Sequence, residues 1–164
     1  MSAGADLYLP CLLTRLQDDY PGSPAERGRP LNDAAALKQE IIANISLILN
    51  SRSHVSAQSL PEELRGSVLD FGISDFCGCE HSERKLEQLK TEIARALAWY
   101  EPRIDPASVR IESTEAAPAG AAHGSSVFAL KIYCEVKVEP LEGEILFVSY
   151  LDLESGSAEV AFQE

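Results

Sequence analysis

Apolar positions recur at helical spacing in three stretches of the chain. In the first, Leu9, Leu12, Leu13 and Leu16 form one stripe. It predicts a helix over about Leu7 to Asp19, with Pro10 in its first turn. The stripe either packs on the rest of the chain or docks on a partner. In the second, Leu37, Ile41, Ile45 and Ile48 share a face thickened by Ile42 and Leu49, while Lys38, Gln39 and Asn44 lie elsewhere. That predicts a core-facing helix over about Asp33 to Asn50, capped by Asn32 or Asp33. Burying such a stripe contributes roughly 1.5–3 kcal/mol per large side chain, so Ile45→Asp should be severely damaging. In the third, Leu86, Leu89, Ile93, Leu97 and Tyr100 keep the period over about Glu83 to Tyr100, behind a Ser82 cap. Pro102 stops this helix, because it lacks the amide hydrogen and restricts Glu101. Glu101 and Arg103 are therefore held at a sharp exit from a rigid helix.

Beyond this point the period changes to two. Val109 and Ile111 alternate with polar residues in a first strand. Phe128, Leu130, Ile132, Cys134, Val136 and Val138 alternate with Lys131, Glu135 and Lys137, the pattern of a half-buried strand. Pro140 to Gly143 predicts a turn. Ile145 to Leu153 is apolar on both faces, which predicts a central strand or one covered twice. Glu154-Ser155-Gly156-Ser157 then turns into a last strand ending near Phe162.

Irregular stretches separate these elements. Tyr20 to Leu31, punctuated by Pro21, Gly22, Ser23, Pro24, Gly28 and Pro30, reads as a linker. Ser51 to Ser67 is irregular apart from a short helical turn near Glu62 to Arg65. Val68 to Phe76 reads as an ordered loop interrupted by Gly72. Glu115 to Ser126 is a small-residue loop rich in Ala, Gly and Pro. Helices followed by an antiparallel sheet of about four strands make an α+β fold, with the N-terminal helices packed on the sheet. Residues 1–31 form an N-terminal helix and Pro/Gly-rich linker, and residues 32–164 the α+β domain.

Charge narrows the partners. A formal net charge of -12 repels phosphate backbones and anionic headgroups, so the expectation is no nucleic acid and no lipid surface. No apolar stretch approaches the roughly 20 residues that cross a bilayer, which argues against membrane insertion. Met1 to Pro10 carries Asp6 and no Lys or Arg, so no secretory signal is read there. The expected location is the cytoplasm, with Cys11, Cys77, Cys79 and Cys134 as thiols.

Candidate chemistry is sparse. With 26 acidic residues, carboxylate pairs arise by chance, and no local pattern singles out the buried acid a glycosidase needs. Cys77-Gly78-Cys79-Glu80-His81 is the most metal-like cluster. Its three potential ligands crowd one segment, with no second cluster to complete four, so no metal site is assigned. No nucleophile elbow or phosphate-cradling glycine loop appears, and no cofactor is implied. Glu101-Pro102-Arg103 stands apart. Its bland form is a helix end with a local salt bridge. Its functional form is an Arg103 fork that clamps a partner's carboxylate or carbonyls, with Glu101 orienting the fork or meeting a second partner. On the residues alone both forms stay open, and Glu101, Pro102 and Arg103 are the candidate protein-binding residues. Arg103→Glu is expected to keep the fold and lose the partner.

Several motifs in order carry a family resemblance. Leu37-Lys38-Gln39-Glu40-Ile41 leads through Ile45-Ser46-Leu47-Ile48-Leu49 to Asn50-Ser51-Arg52, similar to an "LLNTR"-like helix end. Val68-Leu69-Asp70-Phe71-Gly72-Ile73-Ser74-Asp75-Phe76 is similar to a "YGLPDF" segment, with Ile73-Ser74 where Leu-Pro is usual. Tyr100-Glu101-Pro102-Arg103-Ile104 carries an E-P-R signature, and Leu12-Leu13-Thr14-Arg15-Leu16 is similar to an "S-L-L-D-R-L" stretch. From about Leu12 to Val160 the chain resembles the TssE family of type VI secretion baseplate subunits, related to phage-tail baseplate wedge proteins and often labelled "lysozyme-like". Cys77-Gly78-Cys79 is not a feature of that family.

The resemblance implies a non-enzymatic baseplate component at the inner face of the cell envelope. Its implied partners are the wedge proteins TssF and TssG and the sheath proteins TssB and TssC. Glu101, Pro102 and Arg103 would contact the helical core bundle of the wedge. An exposed sheet edge, with the last strand a candidate, would accept a sheath strand and so nucleate sheath assembly. The alternatives are a phage-tail wedge protein and a muramidase-like peptidoglycan hydrolase.

Overall fold

A computed structural model describes residues 9–16, 21–23, 33–53, 60–114, 126–138 and 141–162. The described residues fall into two compact units, one up to Ile41 and one from Ile42. In the first, helix α1 covers Leu12–Leu16, and its Leu9, Leu12 and Leu16 stripe is exposed. The expected ends of that helix, at Leu7 and Asp19, and most of the expected linker lie outside the described residues. The Cys11 amide donates to Glu40 Oε1 at 2.9 Å.

Helix α2, Ala34–Asn50, starts where the cap residues predict. Asp33 Oδ1 accepts from the Ala36 amide at 2.8 Å. All six apolar residues of its stripe, Leu37 to Leu49, are buried. Helix α3, Glu83–Tyr100, is capped by Ser82, whose Oγ accepts from the Lys85 amide. Leu89, Ile93, Ala96 and Leu97 form its buried face.

The sheet is a four-stranded antiparallel meander in the order β1 (Arg110–Thr114), β2 (Val127–Val138), β3 (Leu141–Asp152) and β4 (Ser157–Phe162). The fold is α+β, as the order of periodicities predicts. Phe128, Leu130, Ile132, Cys134 and Val136 of β2 share one buried face with Ile145, Phe147 and Leu151 of β3. With Ile45, Ile48 and Leu49 of α2 and the buried face of α3, they make the core of the larger unit. β3 is central, between β2 and β4. Its second face carries Val148, buried, and Leu146 and Tyr150, half-buried.

Two expectations need correction. Pro140 to Gly143 is not the hairpin turn. Val138 pairs with Leu141 and Val136 with Gly143, so only two residues, 139 and 140, separate the strands. Gly143 imitates turn chemistry, but cross-strand pairing extends both strands to twelve residues. The first strand also begins one residue later than Val109 and runs on to Thr114.

The segment after α2 is ordered in an unanticipated way. A 3-10 turn at Glu62–Leu64 fits the expected helical turn, and a second spans Val68–Asp70. Arg52 and Ile73 then form a parallel bridge, with the Ile73 amide donating to Ser51 O at 3.1 Å and the Ser53 amide to Ile73 O at 3.0 Å. Gly72 makes this approach feasible. Its φ is +101°, and a Cβ there would lie 2.3 Å from Ser51 O.

Candidate protein-binding site

Helix α3 ends where Pro102 requires. The Glu101 amide still donates to Leu97 O at 3.0 Å, and Glu101 then leaves helical geometry at φ −124°, ψ 79°. The chain turns and joins the end of β2. Lys137 N donates to Arg103 O at 2.9 Å, Asp105 N donates to Glu135 O at 2.9 Å, and Ile104 bridges Val136. Ser108 Oγ accepts from Glu135 N at 2.8 Å, adding a further tie. Lys137 Nζ lies 2.8 Å from Asp105 Oδ2. That contact, with the Ala107 amide, holds the Asp105 carboxyl below its usual pKa range. The motif is thus a rigid joint between helix and sheet.

At this joint Glu101 is 0% exposed. Arg103 Nε donates to its Oε1 at 2.6 Å and Arg103 Nη2 to its Oε2 at 2.7 Å. Asn44 Nδ2 donates to Oε2 at 2.8 Å, and the Arg103 amide reaches Oε1 at 3.3 Å. A buried carboxylate is costly unless its lone pairs are filled, and a bidentate guanidinium fills them with matched geometry. Of the two roles open to Glu101, orienting the Arg103 fork is the one this geometry performs. The Arg103 side chain keeps 23% exposure, and Pro102 is exposed.

An apolar surface lies on the 3-10 turn at Val68–Asp70 and the last turn of α3. Val68 is 88% exposed, Leu69 59% and Trp99 40%. The Leu64–Leu69 segment lies against α3. A Cβ on Gly66 would come 3.3 Å from the Trp99 ring, and Tyr100 Oη donates to Ser67 O at 3.2 Å. Phe71 meets Tyr100 edge-on at 4.9 Å, and the Arg95 guanidinium lies 5.1 Å from the Trp99 centroid. Burial, then Asp70, raises the Tyr100 pKa. Sequence periodicity assigned Tyr100 to the core stripe and gave no signal for Trp99 or Val68.

Asn50 and Arg52, which entered only as letters of a motif, tie α2 to the β3–β4 turn. Asn50 bonds both backbone groups of Ala158. Arg52 donates to Leu49 O at 2.7 Å and to Gly156 O, and stacks 4.3 Å above Phe76.

The Cys77–His81 segment disperses its groups. Cys77 Sγ donates to Glu154 O at 3.2 Å, while His81 stacks on Phe128 at 4.3 Å. Among the described residues no three His, Cys, Asp or Glu side chains are grouped to hold a metal. No helix among them is long and apolar enough to cross a membrane. Among the described residues the other buried carboxylate is Asp70, which accepts from Ser53 Oγ and the Gly66 amide, each at 3.3 Å.

No curated protein and no solved structure matches the chain. A family model does match, over residues 35–141, from the start of α2 to the start of β3. That span includes the whole Glu101–Arg103 joint and its Asn44 and β2 partners. The chain belongs to the family of baseplate wedge protein gp25.

Proposed function

We propose that the chain is a non-enzymatic structural component of a type VI secretion baseplate, which binds the wedge proteins TssF and TssG and nucleates the sheath of TssB and TssC. Its place is cytoplasmic, at the inner face of the envelope. The observation that carries this is the Glu101–Arg103 clasp. It lies inside the matched span and holds Pro102 and the exposed part of Arg103 at a stiff junction. A rigid Arg-led contact needs little ordering on binding, so more of its interaction energy appears as affinity. The exposed Val68, Leu69 and Trp99, on the last turn of α3 and the 3-10 turn packed near it, supply apolar area that an interface can bury.

The same clasp weighs against hydrolysis. Glu101 is ion-paired and Asp70 hydrogen-bonded, and neither stands unpartnered in an apolar pocket as a glycosidase acid does. A phage-tail wedge protein fits the family equally well, and the neighbouring genes separate the two.

The test is co-purification of the chain with TssF and TssG, alongside a peptidoglycan-release assay on the purified protein. Stable association without turnover supports the proposal. Turnover that vanishes on replacing one carboxylate overturns it.

A further inference from the structure

Cys77 and Cys79 belong to one tight turn. The Cys79 amide donates to Phe76 O at 3.3 Å, and Gly78 between the two cysteines takes a φ of +68°. A Cβ on Gly78 would meet nothing within 4 Å, so the space over the turn is open. The backbone is held from outside. Cys77 N donates to Asp75 Oδ1 at 2.9 Å, and Gly78 N donates to Leu153 O at 2.7 Å. Both cysteines are free thiols, Cys77 exposed and Cys79 half-buried. Two Cα atoms two residues apart lie at most about 7 Å from each other. A turn brings them closer, into the range of roughly 4.4–6.8 Å that a disulfide spans.

A cation stands beside Cys77. Arg52 donates to Gly156 O, and a Cβ on Gly156 would lie 3.0 Å from Cys77 Cβ. Burial lowers the Arg52 pKa, while Asp75 and then Cys77 push it back up, so guanidinium and sulfur feel each other's charge. An exposed thiol beside a guanidinium is the setting in which cysteines react, whereas a buried one such as Cys134 stays inert.

We propose that Cys77 and Cys79 form a thiol–disulfide exchange site for small-molecule disulfides, in which Cys77 attacks and Cys79 resolves. The site stands apart from the baseplate contacts and does not depend on them. In the first step the Cys77 thiolate attacks one sulfur of the small disulfide. That S–S bond breaks, one small thiolate leaves and takes up a proton, and a mixed disulfide forms on Cys77. In the second, the Cys79 thiolate attacks the Cys77 sulfur and expels the other small thiolate, which is protonated in turn. The two cysteines are oxidised to one disulfide, and the small disulfide is reduced to two thiols. To meet Cys79, the Cys77 sulfur leaves Glu154 O, to which it donates at 3.2 Å.

Charge selects among small disulfides. Asp75, Glu80 and Glu154 are exposed around the turn, and the chain carries a net charge of -12. A cationic disulfide is drawn to this surface and an anionic one is repelled.

The test is mass mapping of the reduced full chain after exposure to cystamine, quenched in acid. Cys77 and Cys79 should become one disulfide, while Cys11 keeps a mixed disulfide and Cys134 stays a thiol. Cys79→Ser should stop at a mixed disulfide on Cys77. In Cys77→Ser, Cys79 should react about tenfold or more slowly than Cys77 does in Cys79→Ser. In urea the two rates should converge, because the fold no longer sets exposure. Circular dichroism checks that both variants fold. Oxidised glutathione, an anion, should react severalfold more slowly than cystamine, and the gap should narrow as salt rises.

A mixed disulfide that persists on wild-type Cys77 beside a Cys79 thiol overturns the resolving role. Equal rates for the two folded serine variants overturn the order of attack. Faster reaction with oxidised glutathione than with cystamine overturns the choice of substrate.

Discussion

Arg103 holds the buried Glu101 carboxylate in a two-point grip, Nε to Oε1 at 2.6 Å and Nη2 to Oε2 at 2.7 Å. The helix terminator and the candidate binding residue are therefore one structure. Glu101 has no exposed surface to offer a partner. It fixes where Arg103 and Pro102 stand.

This changes what charge reversal at Arg103 does. Arg103→Glu would set a second carboxylate against the buried one, so the expectation that the fold survives it does not hold. Removing one partner of a buried pair costs about 3–5 kcal/mol, and Arg103→Glu and Glu101→Ala should both fall in or near that range. Arg103→Lys keeps the charge but loses the fork, and should lose distinctly less. Urea unfolding midpoints of the three variants give the order.

Gly72→Ala should be damaging for a backbone reason. A side chain at φ +101° costs on the order of 1–3 kcal/mol, and the added carbon would sit 2.3 Å from Ser51 O. The Arg52–Ile73 bridge must open to relieve it. Thermal unfolding should show a clear drop in Tm, larger than for an exposed glycine such as Gly143, where a Cβ meets open space.

The thiols should separate by burial. Cys134 is 1% exposed, and burial first, then the negative charges of Glu101 and Glu144, pushes its pKa up to about 12. Cys11 and Cys77 are exposed. Iodoacetamide at pH 8 should alkylate Cys11 and Cys77 in the native protein and reach Cys134 only after denaturant is added, because the thiolate is the nucleophile. Mass mapping of labelled peptides reads this directly.

Asp105 gives a sign for acid behaviour. Its carboxyl titrates below the usual value of 3.8, through the hydrogen bond from Lys137 and then that from the Ala107 amide. A depressed folded pKa stabilises above the unfolded value, and that contribution disappears as pH falls through the lowered one. Asp105→Asn should therefore be less stable than wild type near pH 6, and the gap should begin to shrink only below about pH 4 and close once the pH falls below the lowered pKa. Urea midpoints from pH 6 downward through that range measure it.

The helices and the order of strands were legible because burial imposes a period on the sequence. Leu37 to Leu49 and Leu89 to Leu97 show it plainly. The start of β3 was not legible, since Gly143 carries turn chemistry locally while its pairing with Val136 places it in a strand. The same holds at the site. Pro102 announces a helix end, but nothing local shows that Asn44, more than fifty residues away, completes the Glu101 carboxylate. Asn50 and Arg52 likewise act through partners more than a hundred residues distant, Ala158 and Gly156. Exposure of Val68 and Trp99 depends on how the loop lies on α3, which apolar spacing does not encode.

The most direct test of the binding role leaves the clasp untouched. Val68 is 88% exposed and follows Ser67, whose carbonyl accepts from Tyr100 Oη just before Glu101, so Val68→Asp should fold as wild type does, with the same Tm and circular dichroism. Its affinity for a TssF–TssG complex, measured by pull-down or calorimetry, should fall by about tenfold or more, as for a contact worth over 1 kcal/mol. A folded Val68→Asp variant that binds TssF and TssG as tightly as wild type would contradict an interface at this joint.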